Sequence, residues 1–389
     1  FINGGGRSLG DSCTYRFSYG AEAICRRNCP HRIEGLNFFI VKGVAAMMQK
    51  IKSASIEMVS SIVTKSDGDL WPCAWGDDGF LYTANGDGKG FDLGSEWTDI
   101  VVNRISGDAM NLAGERLTGA EGVGGVFADP QRYNRKPTGM ACAHGNLYLC
   151  VQNLNKVPGK GIFDDAPCCT ICLSRDKGKT WEFDRNKPMF SNWEFTTIFF
   201  ADFGRNNEYS PGGYLYAYGM DYNWRSSFSG SVTNPDSLFL ARVLPESALR
   251  REEWEFYGGM RDGLPVFTKR FEERRPVLCD SRLVEVKPPE DLSQETVKMN
   301  VISQGSVVYN APLKKLIYSS WTENTFEFYE AEHPWGPFIP FLSQSFGHYP
   351  WNENCYGGYA TVIPSKFISE DGKTMYIVSA TFAGGVKRY

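Results

Sequence analysis

One pattern recurs five times along this chain of 389 residues: a polar start, an apolar run, a Gly/Asp/Asn turn, then an apolar residue followed by tyrosine. The pairs are Leu81-Tyr82, Leu147-Tyr148, Leu215-Tyr216, Ile317-Tyr318 and Met375-Tyr376, at intervals of 66, 68, 102 and 58 residues. These intervals are too long for a helical solenoid and slightly long for a four-stranded propeller blade. Six residues beyond the first member of each pair stand Asp87, Asn153, Asp221, Glu323 and Thr381. If the copies surround one axis, these positions share one face, and three of the five carry a carboxyl group.

A radial repeat evades the usual link between length and domain number, because each unit packs only on its neighbours and no single core has to grow. From about Ile56 onward, short runs rich in Val, Ile, Tyr, Phe, Trp and Thr are bounded by Gly, Asp, Asn and Pro, the signature of strands and turns. Pro245 to Trp254 reads as a helical turn inserted between strands, and Glu285 to Thr296 as a loop; the two account for the long third interval. Pro72, Pro137 and Pro364 precede their pairs by nine to eleven residues, inside the first strand of each copy. A proline lacks the ladder N–H and is confined to edges, so that first strand is the innermost one, facing a central channel. Ser174-Arg-Asp176-Lys-Gly178-Lys-Thr180-Trp181 fits a hairpin turn in which Asp caps backbone amides, Gly takes positive φ and Trp packs the turn down. Ser369 to Thr374 is a weaker echo, and both bear on structure rather than chemistry. The expectation is an all-β, five-bladed β-propeller over residues 56–389, preceded by a disordered or non-native leader over residues 1–46, which lack the strand rhythm.

A net charge of −4 and a pI near 5.8 leave no electrostatic footprint for nucleic acid or an anionic membrane surface. The longest apolar run, around Phe38 to Met48, is broken by Lys42 and is too short to span a bilayer. The eleven cysteines read as small buried thiols, Cys168-Cys169-Thr170-Ile171-Cys172 among them as strand, and not as a disulfide framework. Cys25, Cys29 and His31 match no strong zinc spacing. With four histidines in all, and His144 in a turn far from the expected mouth, neither a metal site, a cofactor nor His-based chemistry is expected.

The segment from Asp69 to Asp87 carries the strongest chemical signal. Asp77-Asp78-Gly79 fits a three-residue hairpin loop with Gly in the left-handed position. That loop pairs Gly76 with Phe80 and, continued outward, sets Asp69 opposite Asp87, on one face and roughly 5 Å apart at Cβ. Two carboxylates side by side divide into an acid and a base, the division that glycoside hydrolysis requires. Other residues fall where they would wall such a site: Trp71 within the same segment, Lys136 and Gln304 before inner strands, and Asp221, Trp224, Arg225, Trp321 and Glu323 at the ends of second strands. Indoles stack on sugars and polar groups fix their hydroxyls, so these eight are the expected substrate-binding set. Arg274-Arg275 reads as surface.

At these residues the chain resembles a known family. The strings SDGDLWPCAWGDDGFLYTANGDGKGF, RKPTGMACAHGNLYL, SRDKGKTWEF, TTIFFADFG, YAYGMDYNWR, ISQGSVVYN and GGYATVIPSKF are similar to a bacterial family of five-bladed propellers, formerly a domain of unknown function. It includes endo-D-arabinofuranases that cut the arabinan of mycobacterial cell walls. The resemblance runs from about Ser61 to the C-terminus and places the family's acidic pair on Asp69 and Asp87. It implies a glycoside hydrolase acting on a furanosidic polysaccharide or oligosaccharide, most simply D-arabinan, as a monomer. It also implies an extracellular or periplasmic setting, whereas the free cysteines and the lack of an export signal fit the cytoplasm. A carbohydrate-binding propeller without turnover is the alternative, and the acidic pair separates the two, because a binder does not need it.

Overall fold

Alternating burial explains why an apolar residue is followed by tyrosine. Successive strand residues point to opposite faces of a sheet, and in four of the five copies the pair lies on a strand covered on both sides. Leu147 faces the cluster shared with the preceding sheet while Tyr148 faces the one shared with the next, and Leu215 and Tyr216 repeat the arrangement. The fifth copy departs from it. Met375-Tyr376 lies outside any strand, and Tyr376 is exposed.

The computed structural model describes residues 50–57, 62, 64–119, 122–123, 133–156, 164–226, 232–286, 296–322, 324–345 and 359–380. The leader expected over residues 1–46 lies outside them. The described residues form an all-β architecture of strands and single 3-10 turns. The first sheet holds β1 (Asp67–Asp69), β2 (Cys73–Trp75), β3 (Leu81–Gly90), β4 (Thr98–Asp108) and β5 (Asn111–Thr118), with β1 and β2 both on one side of β3. The second is a meander of β6 (Tyr133–Ala143), β7 (Asn146–Asn155) and β8 (Cys168–Ser174). The third runs through β9 (Thr197–Asp202), β10 (Leu215–Met220), β11 (Ser237–Val243), β12 (Glu255–Arg261) and β13 (Leu264–Thr268), with β14 (Pro276–Cys279) on the flank of β11. A hairpin of β15 (Leu283–Val286) and β16 (Val297–Asn300) follows, so the loop expected from Glu285 begins inside a strand.

The fourth meander is β17 (Ser306–Asn310), β18 (Lys315–Trp321), β19 (Thr325–Ala331) and β20 (Ile339–Ser345), and the last described pair is β21 (Tyr359–Val362) with β22 (Val378–Ala380). Strands β9 and β17 pair in parallel, Ala201 with Val307 and Asp202 with Val308, which joins the third and fourth meanders into one sheet. The expected helical turn is present as two 3-10 turns, Pro245–Ser247 and Arg251–Glu253.

Buried clusters lie between successive sheets. Tyr82 and Ile100 meet Met140 and Leu149 between the first and second; Tyr148 and Cys150 meet Phe200 and Trp254 between the second and third. Tyr218 packs with Tyr318 and Tyr329 between the third and fourth, with Phe199 stacked on Tyr318 at 5.9 Å. Residues of β21 and β22 share one cluster with β18 and another with β2 and β3, so the last pair contacts both the fourth sheet and the first. Six of the seven described cysteines are buried in these layers, as small apolar residues would be.

Prolines mark irregular edges. Pro137 sits at a bulge on β6, an edge strand, with Val151 opposite it and Gly139 opposite Cys150. Pro72 precedes β2, and its carbonyl accepts from the Ala84 N–H (3.0 Å) and the Thr83 hydroxyl (2.9 Å). Pro364 differs from the expectation: it follows β21 and opens the 3-10 turn Ser365–Phe367. The turn motif folds as its residues dictate. Asp176 accepts from the Thr180 N–H (2.9 Å), the Thr180 hydroxyl (2.6 Å) and the Ser174 hydroxyl (2.9 Å), Gly178 has φ 87°, and the Trp181 indole donates to the Gly178 carbonyl at 3.2 Å. Asp371 in the echo accepts from Ser369 and Lys373 in the same manner.

Two features of β6 and β9 yield tests. At Gly139 the backbones of β6 and β9 approach so closely that a Cβ would stand 2.5 Å from Phe199 Cα and 2.7 Å from Phe200 N. Gly139→Ala therefore forces the strands apart, and urea unfolding should show a loss of about 1–3 kcal/mol or more.

At the end of β9, Asp202 accepts from the Ser365 N–H (2.8 Å), the Ser365 hydroxyl (2.7 Å) and the Gly204 N–H (3.0 Å), beside a small pocket lined by Trp75, Met140, Cys142 and Asn207. Burial outweighs these bonds and pushes the Asp202 carboxyl up to about 6. An acid whose folded-state value is raised is neutral longer in the folded than in the unfolded chain, so its contribution to stability falls as pH rises from about 4 to about 6. The side chain reaches the pocket, so solvent screening reduces the effect to roughly 1–2 kcal/mol. Asp202→Asn should remove that part of the slope, read as the difference between variant and wild-type unfolding free energies at pH 4.5 and pH 7.

Candidate active site

The hairpin between β2 and β3 forms on the expected loop. The Gly76 N–H donates to the Phe80 carbonyl (2.8 Å), Gly79 has φ 86°, and Trp75, Ala74 and Cys73 pair with Leu81, Tyr82 and Thr83. Further out the register slips by one residue, and Asp69 pairs with Gly86 instead of Asp87. The cause is a tight turn at Leu70: the Trp71 N–H donates to the Asp69 carbonyl at 3.0 Å, and Leu70 and Trp71 have φ of 73° and 50°. Left-handed backbone at two bulky residues costs of order 1–3 kcal/mol each. Burial of both side chains and an indole bond from Trp71 to the Gly68 carbonyl (3.1 Å) hold it in place.

Despite the slip, the two carboxylates meet. The Lys136 ammonium, reaching over from β6, contacts Asp69 Oδ1 at 3.7 Å and forms a closer ion pair with Asp87 Oδ2. Sharing one cation holds the two carboxyl groups close to each other. The side chains of Lys136 and Asp69 are 2% and 1% exposed and that of Asp87 is 13%, so Asp87 is the member that solvent reaches. Asp87 also has left-handed backbone (φ 41°), and the Asn134 amide donates to its Oδ1 at 3.3 Å. Gly86 fits because it has no side chain: a Cβ there would lie 2.5 Å from Asp69 Oδ1 and 3.2 Å from Lys136 Nζ. Lys136 pairs across the ladder with Gln152, whose Oε1 accepts from the Thr197 hydroxyl at the start of β9 (2.8 Å). The cluster thus spans the first three sheets. Next to it, Arg135 on β6 grips Asp99 on β4 through its N–H and two guanidinium nitrogens.

The remaining expected substrate residues are distributed differently. Trp71 is wholly buried and anchors the turn below Asp69 instead of presenting a ring face. Trp224 and Trp321 are also buried, packed on each other at 5.9 Å between centroids, and the Trp321 indole donates to the Gln304 carbonyl at 2.8 Å. Arg225 lies over Trp224 and ion-pairs with Asp164 at 3.4 Å. Trp224 and Trp321 share an apolar cluster with Leu70, the turn residue that follows Asp69. Asp221 accepts from the Phe195 N–H (2.7 Å) and from Arg274 (3.0 Å). Burial pushes its carboxyl up while the Arg274 charge opposes this. Arg274, expected at the surface, is mostly buried between Asp221 and Glu194. Glu323 and Thr381 lie outside the described residues.

Sequence reasoning missed Asn134, Asp99 and Gln152. All lie on strands beside residues already singled out, and only strand pairing brings them to the pair. Among the described residues, the buried Gln152 Nε2 beside Lys136 has no protein hydrogen bond.

No family model matches the chain, and no curated protein does. Solved structures with a similar course of the chain include a thermostable family-43 glycoside hydrolase, at a TM-score of 0.44 and 10% identity over 85% of this chain and 91% of that one. A protein of unknown function from Dyadobacter fermentans aligns at 0.43 and 10%, over 83% and 78%. The GH43_1 enzyme from Xanthomonas citri complexed with xylotriose aligns at 0.42 and 12%, over 84% and 91%. Likenesses this distant assign neither family nor substrate, and the functional reading rests on the residues.

Removing one partner from a buried charge cluster leaves the others uncompensated. Lys136→Met should lower the unfolding free energy by about 3 kcal/mol or more at neutral pH, against less than about 1 kcal/mol for an exposed pair such as Arg175–Glu182, compared in parallel urea titrations.

Proposed function

We propose that this protein is a glycoside hydrolase of furanosidic polysaccharide, with D-arabinan as substrate and Asp69 and Asp87 as the acid and the base or nucleophile. The observation that carries the reading is the carboxylate pair itself: two acids from one hairpin, gathered on one buried ammonium where the inner strands of the first three sheets begin. Hydrolysis of a glycosidic bond needs one carboxyl to protonate the departing oxygen and a second to activate water or attack the anomeric carbon. Asp87, the less buried of the two and held by Asn134, is the member that faces substrate. Asp69, enclosed with Lys136 and seated on the Leu70 turn, fixes the geometry and takes the complementary role. The proposed frame is a five-bladed β-propeller over residues 56–389. The clusters between successive sheets, and the contact of β21–β22 with both the fourth sheet and the first, support that ring.

A carbohydrate-binding propeller without turnover is the second reading. The near-complete burial of Asp69 is the observation that favours it.

Asp69→Asn and Asp87→Asn are nearly isosteric, and each should lower reducing-end release from D-arabinan by at least about 10²–10⁴-fold, with an unchanged circular dichroism spectrum. If both variants cleave as fast as wild type, the pair serves only structure. If wild type binds arabinan and cleaves no glycan on a polysaccharide panel, the binding reading takes over.

A further inference from the structure

Two large aromatic side chains stand exposed on loops next to the ends of β9 and β10, joined by a main-chain hydrogen bond. Trp193 is 41% and Tyr222 43% exposed. Trp193 lies four residues before β9, whose first residue, Thr197, bonds the Gln152 that pairs with Lys136. Tyr222 follows β10 by two residues, and its N–H donates to the Trp193 carbonyl at 2.7 Å.

The loops are strained and clamped. Asn192, Trp193, Phe195 and Tyr222 all have left-handed backbone, with φ of 61°, 61°, 54° and 67°. Four such residues persist only where the surroundings over-determine them, and here they do. The Trp193 N–H donates to the Pro167 carbonyl (3.2 Å), the Ala166 N–H to the Tyr222 carbonyl (3.1 Å), and the Trp193 indole N–H to Asp165. Asp165 is itself held by Asn155 at 3.0 Å. Arg274 ties Glu194 of one loop to Asp221 of the other, and stacks over Phe271 at 4.0 Å. Packing accounts for Phe195, whose ring is fully buried, but not for Trp193 and Tyr222, which stay exposed. Two exposed aromatic residues on clamped loops, whose strand β9 reaches the Lys136 cluster through Thr197 and Gln152, suit a ligand with an apolar face and hydroxyl edges, as a sugar ring has.

We propose that Trp193 and Tyr222 form the stacking platform for the glycan chain, and that Asp221 and Arg274 are positioning residues that hold it. This rests on the glycosidase reading above, and it gives the binding role to exposed rings in place of the buried Trp71, Trp224 and Trp321.

The test uses the full chain with linear oligosaccharides released from D-arabinan. Trp193→Ala and Tyr222→Ala should each raise KM roughly three- to tenfold while kcat changes by less than about twofold. In the Asp87→Asn background, calorimetry should show the same loss in Kd, free of turnover. Trp193→Phe should restore most of the affinity, which a purely structural tryptophan would not, and Asp221→Asn should weaken binding while near-ultraviolet dichroism reports a changed Trp193 environment. Unchanged KM in both alanine variants, with hydrolysis intact, overturns the platform and leaves the acid pair standing. Equal damage from Trp193→Phe and Trp193→Ala overturns it as well, in favour of a structural role. If the wild type neither binds nor cleaves any glycan, the platform and the glycosidase reading fall together.

Discussion

The candidate site depends on one ammonium. Lys136 lies between Asp69 and Asp87 with almost no solvent contact, and charges taken out of water are tolerated only where partners meet them closely. That requirement reaches far into the chain. It excludes a Cβ at Gly86, places β6 against the first sheet, and needs the backbone at Asp69 to turn sharply through two left-handed residues. The buried indole of Trp71 and the apolar contacts of Leu70 supply the hold that keeps this turn from relaxing. The arrangement concentrates acid groups at one end of the inner strands without leaving them to repel one another.

The two ends of those strands differ in chemistry. Where they begin, Lys136 gathers Asp69 and Asp87, and Gln152 lies across the ladder from it. Where they finish, Trp75, Cys142 and Asp202 line a small pocket, and Asp202 fastens β9 to the turn at Ser365.

What the sequence made legible follows from which rules are local. Strand character, the hairpin loop and the pairing from Trp75 to Cys73 depend on residues near in sequence, and the Asp77-Asp78-Gly79 signal fixes them. The slip at Asp69 was invisible, because left-handed backbone is signalled by Gly or Asn and here falls on Leu70 and Trp71, held by tertiary packing. The meeting of Asp69, Asp87 and Lys136 was half legible: the residues were singled out, but that the lysine bridges both acids depends on how the second sheet sits on the first. Burial separates Trp224 and Trp321 from Trp193, and nothing in their sequence neighbourhoods does so. Arg274 was misread for the same reason, since its partners Glu194 and Asp221 are 80 and 53 residues away in sequence.

The parallel ladder between β9 and β17 bears on how the chain reaches this structure. Every other named strand pairing is antiparallel, and most join strands near in sequence, which chain closure favours early. Bringing Ala201 beside Val307 closes a loop of about a hundred residues before any ladder bond rewards it. The third and fourth meanders therefore complete each other late, and neither has its full complement of main-chain partners until both are present. A nascent chain released from synthesis between them would carry an open, apolar strand edge at β9, the kind of surface on which other chains nucleate aggregates.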